Sequence, residues 1–224
     1  MTDTGTMGGW ADDPTLLAMH KAIEQHEAAK PPRTYLGASA IGDSCERKLW
    51  YGLQGTPREP KRAQGIYAAE DGHRTEDLVA QRLRMIPGIE LWTHKPDGKQ
   101  YGFEDFGGQF KGHADGVIRR LLQAPKTVHI WENKTKEPKY FKSFQKAVAE
   151  KGNKNALKAW DLLYYAQAVI LMDHFDLTRH YLTVTTPGHC QVNEKSLSDP
   201  FPLRKAEGLG IAKILGLVKA QYLP

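Results

Sequence analysis

The sequence predicts an α+β protein, an α/β sandwich in which a central mixed β-sheet of about four to five strands is flanked by helices. Short strand-like runs separated by turn residues occupy residues 89–134, and one more covers 179–188. Segments with helical spacing precede and follow them. The 224 residues can bury one sizeable core and contain no internal repeat. We therefore expect one folded domain over 36–224, preceded by an acidic arm and helix over 1–35.

Three segments before the sheet carry helical signals. Residues 14–30 have apolar side chains at three-four spacing. A short helix over 45–51 can be capped by Asp43 or Ser44, and a longer helix covers 61–85 and closes at a Pro-Gly pair.

The strand-like runs are 89–95, 101–106, 110–121 and 127–134. A lysine-rich stretch follows them. We then expect a long helix over 156–175, the last strand over 179–188 and a terminal helix over 202–223.

The bulk composition indicates an intracellular protein that does not enter a membrane. Hydrophobic residues make up 40% of the chain and its mean hydropathy is −0.55. No run approaches the roughly 18 apolar residues of a membrane span, and the first residues do not resemble an export signal. The two cysteines, Cys45 and Cys190, are too few for a four-thiolate metal site and do not suggest a disulfide framework. We expect a cytoplasmic location, which would be the host cytoplasm for a viral protein.

Charge is distributed unevenly along the chain. Residues 1–30 carry five acidic side chains against two lysines, whereas residues 134–158 carry eight lysines against two acids. A concentrated lysine surplus suits a polyanion such as a nucleic acid. The alternative is a basic face that is simply solvated.

Two carboxylates lie where apolar residues would be expected. Glu76 shares a helix face with Val79 and Leu83, and a buried carboxylate must be protonated, paired with a cation or bound to a metal. Asp115 lies in a run whose side chains alternate between two faces and which continues into apolar residues. The alternative interpretations are an ion pair with Arg or Lys for Glu76 and a hairpin turn for Asp115.

The segment "HIWENKTK" begins as a strand and ends on charges. Alternation places Glu132 and Lys134 on one face, separated by about 6.6 Å along the strand. The carboxylate could hold a cation while the ammonium reaches a water bound to that cation; the alternative is an ion pair that ends an edge strand. In a later helix Gln167 interrupts an apolar stripe, and its buried amide needs either backbone or ligand partners.

Four of these pieces occur in a recognisable order: "GHRTE" (72–76), "GHAD" (112–115), "ENK" (132–134) and "YYAQ" (164–167). Together they resemble the PD-(D/E)XK nuclease superfamily, in particular its RecB-type and lambda-exonuclease-like branch. The resemblance covers roughly residues 36–185 and implies a restriction-endonuclease-like core.

The resemblance also implies roles for individual residues. The metal ligands would be Asp115, Glu132 and the main-chain carbonyl of Asn133, with Glu76 binding directly or through water. Lys134 would orient or activate the attacking water, and Gln167 would contact metal-bound water or substrate. These oxygen ligands favour Mg²⁺ or Mn²⁺.

Two positions depart from the family pattern. Leu171 stands where the family's helix carries Tyr, four residues after the Gln. Some relatives use a histidine in the first motif as a ligand, but we expect His73 to turn away from the face of Glu76.

A further segment, "SAIGDSCERKLWY", resembles the entry segment of the same branch. By this likeness Ser39 and Arg47 would face the nucleic acid. Cys45 stands where iron–sulfur relatives have a ligand, but the other thiolates are absent, so no iron–sulfur cluster is predicted. In the lysine-rich stretch we expect a set of phosphate contacts, with Tyr140 or Phe141 available to stack on a frayed base. Those contacts are Lys136, Lys139, Lys142 and Lys146.

Together these features predict a Mg²⁺- or Mn²⁺-dependent deoxyribonuclease that hydrolyses phosphodiester bonds with little sequence specificity. We expect an exonuclease of DNA recombination, repair or replication, in a phage-like setting. The alternatives are a structure-selective endonuclease, a catalytically inactive DNA-binding module and a small-molecule hydrolase. DNA is the expected partner, and association with itself or with a replication or recombination protein remains open.

Overall fold

The computed structural model describes residues 13–57 and 59–187. The helices are α1 (Pro14–Ala28), α2 (Glu46–Leu53), α3 (Ala63–Arg84), α4 (Pro138–Trp160) and α5 (Leu162–His174). The strands are β1 (Leu36–Gly37), β2 (Glu90–Trp92), β3 (Gly102–Asp105), β4 (Phe110–His113), β5 (Gly116–Leu121), β6 (Ala124–Thr135) and β7 (His180–Thr185). None of the helices in these ranges is long and apolar enough to cross a membrane. The predicted terminal helix, Cys190 and the first part of the acidic arm lie outside the described residues.

The described residues form two compact units. They are 13–32 with 57 and 59–70, and 33–56 with 71–187. In the first unit the side chain of Asp13 caps α1 by accepting from the backbone N–H of Thr15 at 2.8 Å. The carboxylate of Glu24 accepts from the backbone N–H of Ala63 at 2.8 Å, which ties α1 to the start of α3.

In the second unit the strands make two mixed sheets, with orders β1-β4-β3 and β2-β5-β6-β7. The four-stranded sheet matches the expected central mixed sheet, and the three-stranded sheet is an addition to it. The predicted strand over 110–121 divides at Ala114 and Asp115 into β4 and β5, which belong to different sheets. At this point the backbone N–H of Asp115 donates to the side chain of Glu132 on β6 instead of to a main-chain carbonyl of a neighbouring strand.

Helices cover both faces of the four-stranded sheet, as the predicted α/β sandwich requires. One face contributes Ile130 and Leu182 to a core shared with α4 and α5. The other face contributes Ile118 and Trp131 to a core shared with the later turns of α3. The α+β class is confirmed, and the functional residues considered below lie at the sheet between these layers.

The predicted long helix over 156–175 is two helices. Asp161 has extended backbone angles and ends α4, and its side chain caps α5 by accepting from the N–H groups of Leu163 at 2.9 Å and Tyr164 at 3.1 Å. The first of these helices also begins much earlier in the chain than the predicted position 156, since α4 starts at Pro138 within the lysine-rich stretch. Proline is well tolerated at this first position because it lacks an N–H to satisfy.

Gly152 interrupts α4 with φ 68° and ψ 166°, angles that are essentially confined to glycine. We expect Gly152→Ala to lower the free energy of unfolding by about 1–3 kcal/mol because the new side chain would strain this backbone. Urea denaturation followed by circular dichroism measures the change.

Gly65→Ala is the matched control. Gly65 lies within α3, and an added Cβ would meet nothing within 4 Å. This substitution should raise the free energy of unfolding by about 0.4–1 kcal/mol by restricting the unfolded chain. Equal free energies of unfolding for the Gly152→Ala variant and the wild type would contradict the expected strain of alanine at these backbone angles.

Candidate active site

The pairing of β5 with β6 brings the two central carboxylates together. Gly116 pairs with Trp131, so Asp115 lies opposite Glu132 on the antiparallel strand. Glu132 Oε1 accepts from the backbone N–H of Asp115 at 3.4 Å, and Asp115 Oδ2 accepts from the backbone N–H of Asn133 at 2.7 Å. The two carboxyl groups therefore lie on the same side of the sheet.

Lys134 and Gln167 both bind Glu132. Lys134 Nζ donates to Glu132 Oε2 at 2.7 Å, which places both charges on one face of β6, as the alternation predicts. Gln167 Nε2 donates to the same oxygen at 3.0 Å from α5. Its amide therefore has a side-chain partner, in place of the backbone or ligand partners that the sequence suggests.

The electrostatics of this group show an excess of buried negative charge. Burial, followed by the neighbouring charges of Asp115 and Glu132, raises the pKa of Glu76 to about 8. Burial and the charge of Asp115 raise the pKa of Glu132 to about 7. Burial likewise raises the pKa of Asp115. Three carboxyl groups thus share a low-dielectric region with one lysine.

Lys134 stays protonated in this setting. Burial alone would lower its pKa, but the carboxylates of Glu132 and Asp115 outweigh that effect and raise the pKa above its ordinary value. The ammonium is therefore a fixed hydrogen-bond donor at physiological pH.

The donor chemistry fits a hard divalent cation, which would neutralise the excess charge. Gln167 Oε1 is buried without a hydrogen-bond partner among the described residues, and this acceptor could accept a hydrogen bond from a coordinated water. However, within residues 13–57 and 59–187 no three His, Cys, Asp or Glu side chains are grouped tightly enough to hold a metal ion. The predicted ligand set is Asp115, Glu132 and the Asn133 carbonyl, with Glu76 binding directly or through water.

His73 corrects one expectation. It was expected to turn away from Glu76, yet it lies near enough to Asp115 for its charge to lower the pKa of that carboxyl group. The reason is helical geometry: residues three positions apart on α3 lie on the same face. His73 is exposed and lies on the same face of α3 as Glu76.

Thr183 is a polar neighbour that the sequence does not reveal. It lies on β7, which runs parallel to β6, and its hydroxyl donates to Asn133 Oδ1 at 2.9 Å and accepts from Trp131 Nε1 at 3.1 Å. These contacts join β7 to β6 on the face of the sheet opposite to the face that carries Glu132 and Lys134. A threonine within a β-rich run is ordinary, so the sequence carries no signal for this role.

The lysine-rich stretch separates into different surfaces once it is folded. Lys136, Tyr140 and Lys146 line one cavity of about 380 Å³. Lys139 and Lys142 are exposed and do not line it. Phe141 is 1% exposed and belongs to the hydrophobic core, so its predicted stacking on a base is wrong.

The segment that contains Ser39 and Arg47 packs closely against α5. A side chain at Gly42 would lie 2.5 Å from the Cα of Leu163, so only glycine fits there. Ser39 and Arg47 are both exposed, as a nucleic-acid contact would require.

The helix in this segment begins differently from either cap that the sequence suggests. Cys45 is the N-cap of α2 and makes no side-chain cap bond. The carboxylate of Asp43 accepts from the backbone N–H of Cys45 at 2.9 Å and so orders the turn before the helix. Cys45 is exposed and is a free thiol.

Comparisons with known proteins are sparse. No protein-family model matches the chain, and neither does any curated protein. A solved structure described as "Crystal structure of SSO0001" is similar with a TM-score of 0.48 and 16% identity, over 94% of this chain and 88% of that chain. This likeness is too distant to bear on fold or function.

The raised carboxyl pKa values predict how stability depends on pH without metal. A group whose pKa is higher in the folded state stabilises the fold while protonated, and this contribution is lost as pH rises through the folded pKa. Glu76, whose pKa is raised from 4.5 to about 8, should therefore destabilise the metal-free protein progressively as pH rises to about 8, with no further loss from this group at higher pH. We expect Glu76→Gln in EDTA to raise the melting temperature at alkaline pH by about 2–4 °C per kcal/mol relieved.

The measurement is thermal unfolding from about pH 6.5 upward, a range that avoids the buried His180. Burial lowers the pKa of His180 from 6.5 to about 3 in the folded protein. Its effect on stability is therefore confined to pH values below about 6.5, where the unfolded chain takes up the proton more readily. Glu70→Gln, on an exposed part of α3, should keep the wild-type slope. Identical slopes for the Glu76→Gln variant and the wild type would remove Glu76 from the buried charge cluster.

Proposed function

We propose that the protein is a metal-dependent deoxyribonuclease that hydrolyses phosphodiester bonds with little sequence specificity. The observation that supports this most is the convergence of Asp115, Glu132 and Lys134 at the end of β6, with Gln167 on the same carboxylate. This is the constellation that the likeness to PD-(D/E)XK nucleases leads one to expect.

In this proposal Asp115, Glu132 and the Asn133 carbonyl hold Mg²⁺ or Mn²⁺. When bound, such an ion lowers the pKa of a coordinated water and neutralises charge on the phosphate. Gln167 holds the Glu132 carboxylate in place from α5, by donating to the same oxygen as Lys134 at 3.0 Å. Glu76 lies on α3 beside this group, one turn after His73. Burial and the charges of Asp115 and Glu132 raise the pKa of its carboxyl group to about 8.

Lys134 acts as a donor in this proposal. Because its pKa is raised, its ammonium does not take the proton from water. It instead donates a hydrogen bond that orients the attacking water or stabilises the charge developing on the phosphate. Its short contact with Glu132 fixes the direction of that donor.

The expected substrate is DNA, held mainly through its backbone. The eight lysines of residues 134–158 favour a polyanion, and contacts to phosphates carry no base information. Exposed Ser39 and Arg47 would add contacts from α2 and the segment before it. We propose a role as an exonuclease in recombination, repair or replication in a phage-like setting. A structure-selective endonuclease is the alternative.

A catalytically inactive DNA-binding module is the second candidate. The observation that favours it is that the described residues contain no tight group of three metal-binding side chains. Such a module would retain the lysine surface and lose cleavage in every metal.

The first test is DNA cleavage with Mg²⁺, Mn²⁺ or EDTA on linear, circular, single-stranded and double-stranded substrates. We expect metal-dependent cleavage, and a loss of about 10²–10³-fold in Lys134→Ala because one oriented donor is removed. Gel analysis of product length separates exonuclease from endonuclease, and circular dichroism checks folding of the variant.

Lys126→Ala is the matched control, since it removes an exposed lysine from the far part of β6. It should cut as the wild type does. Full activity of Lys134→Ala would exclude Lys134 from the reaction, and binding without cleavage in both metals would favour the DNA-binding module.

Metal binding can be tested without any substrate. A cation bound to the folded state alone stabilises it by about 2.7 kcal/mol at a hundredfold excess over its Kd, which corresponds to about 5–10 °C in Tm. We expect Mn²⁺ to raise the Tm of the wild type by this order and to leave Glu132→Gln nearly unchanged.

Glu70→Gln should respond to Mn²⁺ as the wild type does. A full Mn²⁺ shift in the Glu132→Gln variant would place the cation elsewhere in the protein.

A further inference from the structure

A cavity of about 380 Å³ lies along α4, next to the end of β6. Its volume is in the range of small-molecule sites. The side chains that matter for its chemistry are Lys136, Tyr140, Ser143, Lys146, Lys151 and Trp160. It thus combines three ammonium groups with two aromatic rings.

The cavity is built by the kink at Gly152. The chain changes direction there, and the end of α4 comes back beside its beginning. Trp160 Nε1 donates to Ser143 Oγ at 3.0 Å across this gap. The Trp160 ring also lies 4.8 Å from Phe144 and 5.7 Å from Tyr164, centroid to centroid. One wall of the cavity is therefore a fixed aromatic surface.

The other aromatic residue is accessible. Tyr140 is 52% exposed, on the same helix as Ser143 and one turn before it. An exposed aromatic ring beside a fixed one can stack on a planar base, and such stacking is tolerant of base identity.

The charges at the cavity favour a phosphate group. Lys146 makes only a long contact of 3.7 Å with exposed Glu150, a kind of pair that contributes little. Asp161, the other acid in the lining, has its carboxylate engaged at the start of α5. The ammonium groups of Lys136 and Lys151 add to this side.

We propose that this cavity binds one unstacked nucleotide of the DNA strand, with its base against Tyr140 and Trp160 and its phosphate at the lysines. The proposal rests on the nuclease function above and specifies its substrate: a single strand, or a duplex end that is frayed. A base held in a paired, stacked duplex could not enter the cavity.

The position of the cavity relates it to the candidate active site. Lys134 and Lys136 lie two residues apart, and both ammonium groups lie over the ring of Tyr164, at 5.2 Å and 4.7 Å from its centroid. The spacing of two strand residues, about 6.6 Å, is close to the distance between successive phosphates in an extended strand. The bound nucleotide would thus be adjacent to the phosphodiester at Lys134.

The test is binding of fluorescein-labelled oligothymidylate and of a hairpin duplex with a closed end, measured by anisotropy in EDTA so that no cleavage occurs. Tyr140→Ala should weaken binding of the single strand by about 5- to 150-fold, the range expected for losing one stacked base. Tyr140→Phe keeps the ring and should bind as the wild type does. The duplex should be affected much less by either change.

Lys151→Ala should also weaken single-strand binding and reduce its salt dependence, whereas Lys126→Ala, which removes an exposed lysine outside the cavity, should not. Equal losses on single strand and duplex in Tyr140→Ala would overturn the proposal, and so would unchanged binding or failure of the wild type to bind the single strand. Tyr140-dependent binding in a protein that never cuts DNA would instead reject the nuclease and keep the nucleotide site.

Discussion

The antiparallel pairing of β5 with β6 is the constraint on which the candidate site depends. It sets Asp115 opposite Glu132, and the carboxylate of Asp115 then accepts the backbone N–H of Asn133 at 2.7 Å. This side-chain bond ties Asp115 to β6 at the point where β4 has ended and β5 begins. A register shift by one residue would turn the Glu132 and Lys134 side chains to the other face of the sheet.

The resulting group is energetically unfavourable for a protein without a ligand. Burial of ionised carboxylates costs free energy unless cations compensate them, and here the carboxyl groups of Glu76, Asp115 and Glu132 face the single ammonium of Lys134. Their raised pKa values express this imbalance. Perturbed groups of this kind concentrate at functional sites, where the stability they cost serves binding or catalysis. An ordinary structural ion pair would have lowered the carboxyl pKa values instead.

The sequence predicts this group well because it depends on short-range periodicity. Two-residue alternation places Glu132 and Lys134 on one face, and helical spacing makes Gln167 inward; neither inference requires knowledge of distant contacts. What it does not predict depends on tertiary context. Asp161 divides one apolar run into two helices because its side chain caps the second, and nothing in local propensity requires this.

Other failures have the same origin. Whether residues 110–121 form one strand or two depends on a bond between Asp115 and a strand that follows it in the chain. For His73, helix geometry alone is sufficient, because a residue three positions from Glu76 lies on the same face of α3. Thr183 is different, because a single threonine in a strand has no sequence signal that separates a structural contact from a surface position.

At the end of β6, Lys134 in the candidate active site and Lys136 at the cavity are two residues apart and therefore lie on the same side of the chain. Lys134 is held between buried carboxylates and is thereby restricted to one direction, while Lys136 continues the same face beyond the paired strand, with its backbone N–H donating to Thr185 at 2.8 Å. Both ammonium groups lie over Tyr164, which also contacts Trp160 in the wall of the cavity. Tyr164 lies on α5 seven residues, or about two turns, before Leu171. If the proposed nuclease function holds, a strand of DNA extended along this edge meets the fixed lysine first and the accessible one next. The two-residue period of the strand then sets the distance between the proposed scissile bond and the proposed nucleotide site.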